Sequence, residues 1–183
     1  YASPSCPDSF LSFSKHQEVI RWQDIEGFIK EHLKETIDLW GIERKDDLVL
    51  DIRKKEVGSF QTDFEWVSYV KEDLRQMDTS QVEQIGIVSD DPDWCRTHLG
   101  FLEAIADVYY YNDNPFENFL IISKAPRLIA SNTAFSYWGG YANQVLHPKA
   151  TIMVPQLSSD QANEVPEFFK PESWKLIRSP AMT

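Results

Sequence analysis

Between Trp22 and Trp40 the apolar residues Ile25, Phe28, Ile29, Leu33 and Ile37 recur at three- and four-residue steps, the stripe of a helix with one buried face. Gly41 follows, as a helix stop would. The period then changes repeatedly. Leu48-Val49-Leu50-Asp51-Ile52 is a short apolar run and reads as a buried strand; Phe64, Val67, Val70, Leu74 and Met77 restore a helical stripe. Ile85-Gly86-Ile87-Val88 predicts a second strand. Asp91-Pro92 opens the next helix, with Asp at the N-cap and Pro at the first helical position. Ala106 to Tyr111 reads as a third strand. Asn114-Pro115-Phe116-Glu117 repeats the cap-and-proline signal, for a helix that runs to Lys124. Arg127 to Ala130 is a fourth strand, Thr133 to Gln144 a helix, and Ala150 to Val154 a fifth strand.

Strands that alternate with helices of this length predict βαβ units, because parallel neighbours need a crossover. The fold class is therefore α/β, a Rossmann-like parallel sheet of about five strands flanked by helices. Residues 1–21 read as an N-terminal loop or linker, 22–155 as the sheet domain, and 156–183 as a polar, Pro-containing tail with room for a short helix. Trp22 and Trp40 read as core, and His32 as a boundary residue of the first helix.

Composition narrows this picture. In 183 residues, 42% are hydrophobic and 26% charged, values of a globular chain and not of a disordered or fibrous one. The net charge of −11 repels a long polyanion, so no nucleic-acid partner is expected. A small phosphate ligand remains compatible, since salt screens distant charge beyond about 8 Å. Cys6 and Cys95, and His16, His32, His98 and His147, have no metal-ligand spacing, so no metal is expected. No apolar run approaches the ~18 residues of a membrane span. A cytoplasmic or membrane-peripheral location is expected. The chain begins at Tyr1, which suggests processing or a fragment and leaves an upstream targeting segment open.

In open parallel sheets, ligands bind beyond the carboxyl ends of the strands. Three polar clusters fall there. Asp51-Ile52-Arg53-Lys54-Lys55-Glu56 ends the first strand; its cations suit a diphosphate, Arg above all, or form a solvated charge run. Ser89-Asp90-Asp91-Pro92 ends the second. Asp91 is the cap, while Asp90 is available to accept hydrogen bonds from a base or ribose. Ser131-Asn132-Thr133-Ala134-Phe135-Ser136-Tyr137-Trp138-Gly139-Gly140 joins the fourth strand to a helix. Such a helix start binds phosphate through exposed N–H groups, or is simply capped by Asn132 or Thr133. No Gly-x-Gly-x-x-Gly or Walker sequence is present.

Together the clusters resemble the α-1,2-fucosyltransferases, glycosyltransferase family 11. Asn132-Thr133-Ala134-Phe135-Ser136-Tyr137-Trp138-Gly139 is similar to the family's Asn-Ser-Ser/Thr-Phe-Ser-Trp-Trp-Gly. Ser89-Asp90-Asp91-Pro92-Asp93-Trp94 looks like its Ser-Asp-Asp-Pro-x-Trp. The first cluster stands where the family has His-x-Arg-Arg-x-Asp, with Asp51 in place of the His, Lys54 of the second Arg and Glu56 of the Asp. The three follow the family's order over Leu48 to Pro155.

The resemblance implies the C-terminal, nucleotide-binding half of a two-domain GT-B fold, completed by an N-terminal half. It implies GDP-fucose as donor, a galactoside acceptor, inversion, and neither cofactor nor metal. Arg53, Lys54, Ser89, Asp90, Asn132, Thr133, Phe135 and Ser136 would hold the sugar nucleotide. Arg53 and Glu56 would be catalytic, the latter as base. The alternatives are a degenerate sugar-nucleotide-binding domain and an interaction module on the same scaffold. A partly uncovered first helix would favour a homodimer.

Overall fold

The computed structural model describes residues 21–41, 46–55, 62–111, 114–156 and 171–178. All five predicted strands form: β1 (Leu48–Ile52), β2 (Gln84–Ser89), β3 (Asp107–Tyr110), β4 (Arg127–Ile129) and β5 (Thr151–Gln156). Helices separate them: α3 (Asp63–Gln76), α4 (Pro92–His98) with a 3-10 turn at Gly100–Ala104, α5 (Pro115–Lys124) and α6 (Ala134–Leu146). The helix predicted from Trp22 to Trp40 is in three parts. They are α1 (Trp22–Phe28), a π-helical turn at Ile29–Leu33 and α2 (Lys34–Leu39).

The caps sit where the sequence placed them. The Asp91 side chain accepts the Trp94 N–H, and that of Asn114 accepts the N–H groups of Phe116 and Glu117. At α3, Thr62 and Glu65 form a reciprocal capping box. Thr133, rather than Asn132, caps α6 by accepting the Ser136 N–H at 3.3 Å.

The tail contributes a sixth strand, β6 (Lys175–Arg178), which the sequence reading did not anticipate. Only Ile177 of its four residues is buried, among exposed Lys, Leu and Arg, so it carries no apolar run. Its anchor is the preceding Trp174, buried and stacked on Tyr141 at 5.0 Å. The short helix expected in the tail falls largely outside the described residues. Trp40 also departs from expectation: it is 55% exposed. It follows the end of α2 and stands edge-on to Phe116 at 5.1 Å.

The sheet is parallel throughout, in the order β3-β2-β1-β4-β5-β6. β1 is central and all five of its residues are buried. Alternation splits its side chains between two layers. Leu48, Leu50 and Ile52 join Trp66, Tyr69 and Val70 of α3 on one face. Val49 faces the other layer, built from α1, the π-helical turn, α5 and α6 with Ile25, Ile29, Ile121, Ile122 and Tyr141. The order reverses between β1 and β4. That is the point where an open parallel sheet leaves a crevice at its carboxyl edge.

Candidate functional site

The crevice at the switch point is framed by the residue after β1 and by the β4–α6 connection. Arg53 leaves the end of β1 and is only 6% exposed. Its backbone N–H donates to Ser131 Oγ at 2.9 Å, and its Nε donates to Asp51 Oδ1 at 2.8 Å. The Phe135 ring lies 4.2 Å from the guanidinium carbon, in cation–π contact. Ser131 donates to the Asp51 carbonyl, and the Ser136 hydroxyl donates to Asp51 Oδ2. Ser136 Oγ and Thr133 Oγ1 are 2.9 Å apart. The buried carboxylate is therefore satisfied at both oxygens, the condition for an ion pair to persist in a core.

This brings together Arg53, Thr133, Phe135 and Ser136 from two segments about eighty residues apart in sequence. Asn132 is also there, 9% exposed, but its Oδ1 accepts from Tyr137 OH at 3.2 Å. At the start of α6, the first-turn N–H groups have no intrahelical acceptor and carry partial positive charge. The arrangement can hold an anion between a fork of fixed donors and a helix start.

The other predicted residues form a neighbouring group. Asp90 accepts the backbone N–H groups of Lys54 at 2.8 Å and Lys55 at 2.9 Å, and its carbonyl accepts from Lys55 Nζ. It clamps the loop after β1. Ser89 is buried, where its Oγ accepts the Asp91 N–H at 2.9 Å. The Lys54 ammonium reaches Asp63 at 2.6 Å and lies 5.0 Å over the Trp94 ring. That contact, first, and the Trp94 indole N–H hold the Asp63 carboxyl below the usual carboxylate range. Lys54 is thus engaged at the flank of the crevice, while Arg53 is engaged at its centre. Glu56 lies outside the described residues. Among the described residues, no group of His, Cys, Asp and Glu is arranged to hold a metal ion.

Two participants lay beyond the sequence reading. Ser131 looked like one more small residue before a cap, and Asp51 like a departure from a pattern. Only the adjacency of β1 and β4 joins them, and alternation of strands and helices does not specify strand order.

Residues 32–178 match the sequence model of glycosyl transferase family 11. The chain belongs to glycosyl transferase family 11. The matched span runs from the π-helical turn through β6, so it contains the whole sheet and both walls of the crevice. Comparison with curated proteins gave no match. As a member of this fucosyltransferase family the chain is a glycosyltransferase. Open parallel sheets as a class bind ligands at this carboxyl edge. No helix among the described residues is long and apolar enough to cross a membrane.

Proposed function

We propose that this family 11 chain transfers fucose from GDP-fucose to a galactoside, forming an α-1,2 linkage with inversion and without a metal, in glycan or polysaccharide biosynthesis. It acts as the donor-binding half of a GT-B fold. The acceptor is held against a second, N-terminal half. The observation that carries the reading is the buried Arg53 guanidinium, stacked on Phe135 beside the start of α6.

As the glycosidic bond breaks, negative charge grows on the diphosphate leaving group. A fixed guanidinium and a helix start meet that charge without reorganising, often the largest contribution to rate. A carboxylate takes the acceptor hydroxyl's proton, a role we assign to Glu56. The nucleotide is a purine diphosphate, with Ser89 and Asp90 at the far side of the crevice.

Calorimetry with GDP, GDP-fucose and UDP-sugars tests this. GDP and GDP-fucose should bind and UDP-sugars should not. Arg53→Ala should weaken GDP binding by about 2–4 kcal/mol, the scale of a lost fixed donor, and Lys55→Ala should leave it nearly unchanged. Equal small losses for the two, or preference for UDP, would overturn the reading.

A further inference from the structure

Asp51 is the one polar residue of β1, in a strand buried at every position. It shares its face with Val49, turned towards α6. A carboxylate placed there is costly unless both oxygens are met, and they are met by two groups of the crevice. Oδ1 holds Arg53 Nε at 2.8 Å; Oδ2 holds the hydroxyl of Ser136 in the first turn of α6. Ser136 is tied in turn to the cap, Thr133, at 2.9 Å. Ser131 closes the ring, donating to the Asp51 carbonyl and accepting the Arg53 N–H.

A guanidinium is planar. Gripping it at Nε and supporting its face on Phe135 fixes the plane and hence the direction of its remaining N–H groups. We propose that Asp51 is a positioning residue: its buried carboxylate fixes the Arg53 guanidinium against the first turn of α6, so that the two form one rigid cradle for a diphosphate. This rests on the diphosphate reading of Arg53. It gives Asp51 a positive task where the family pattern has His.

The test combines calorimetry with a ligand-free measurement. Inorganic pyrophosphate and GDP would be titrated into the native chain, Asp51→Asn, Arg53→Ala and the double variant. Asp51→Asn should weaken both ligands about tenfold, the scale of one charge-assisted bond. In the Arg53→Ala background it should change affinity by less than about twofold, because residues that act through one another are not additive. Ser136→Ala removes only the second arm. It should show the same dependence on Arg53 at smaller size, and serves if Asp51→Asn fails to fold. Without ligand, the Arg53 Nε–H signal in a 15N spectrum should exchange slowly with water in the native chain and faster in Asp51→Asn.

Fast exchange in the native chain would overturn the proposal outright. So would equal losses for Asp51→Asn in both backgrounds, or tighter binding by it. If Arg53→Ala matters and Asp51→Asn is additive with it, this proposal alone falls. If the native chain binds neither ligand while the Nε signal is protected, the diphosphate reading falls, and the cradle with it.

Discussion

Burial sets the chemistry of single residues here as much as residue type does. Cys95, on α4, is fully buried with its thiol against Ser89 Oγ at 3.3 Å. Burial, only partly offset by that contact, pushes the thiol up to about 11. Since the thiolate is the reactive form, Cys95 should react with Ellman's reagent at pH 8 at least about a hundredfold more slowly than an exposed cysteine of ordinary pKa near 8.5. A Cys6→Ser chain isolates the measurement, and fast labelling before denaturant is added would contradict it. Asp51 shows the same point in reverse. In the sequence it is one acid in LVLDI, and nothing local says which way it faces or what answers it. The Arg53 clamp was legible because Arg at a strand end is informative by itself. Its partners were not, because Ser136 is 85 residues from Asp51.

At the scale of elements, periodicity and caps were legible wherever a run was long enough. α4, α5 and α6 begin at their predicted caps, whereas the Thr62 cap of α3 was not anticipated. What periodicity did not reveal is why α6 contains Gly139-Gly140 just after the phosphate-type cluster. A Cβ on Gly139 would lie 2.5 Å from Ile122 Cγ2, and one on Gly140 2.9 Å from the Trp174 ring. The pair serves close packing of α6 on α5 and on the chain before β6. Ala is the better helix former by about 1 kcal/mol, yet Gly139→Ala should destabilise by about 1–3 kcal/mol because Ile122 must move. A higher urea midpoint for the variant would refute this.

Asp73 gives α3 a pH response. It is fully buried on the helix, one turn after Tyr69. Burial, opposed in part by the Tyr69 phenol, holds its carboxyl well above the ordinary range. The folded state therefore keeps a proton that the unfolded chain loses near pH 4. Below that pH the two states bind this proton alike. As pH rises towards the folded value, the unfolded state is favoured and stability falls. Asp73→Asn should flatten this decline, seen as a gain over the native chain that grows between pH 4 and 8 in urea melts. A gain that does not change with pH would show that titration is not the cause.

For the whole molecule, the α/β class was legible from alternating periods, and the strand order was not. Alternation is equally compatible with many orders, and only packing of the helices on both faces selects β3-β2-β1-β4-β5-β6. β6 escaped for a related reason: its place depends on Trp174, a tertiary contact made with Tyr137 and Tyr141 on α6. Trp174→Ala should cost about 3–5 kcal/mol. Hydrogen exchange should accelerate first in β6 and the outer edge of β5; uniform acceleration over the sheet would argue against a local anchor.

The central place of β1 also has a cost in time. During synthesis, residues 48–52 can pair with β2 as soon as residues 84–89 emerge, but the other side of β1 waits for residues 127–129. Over that interval a nearly all-apolar strand is an open edge, the surface on which neighbouring nascent chains join. Asp51 is the only charge on it. An inward-pointing charge is one device that blunts such an edge, and Asp51, which later completes the crevice, stands on it from the start.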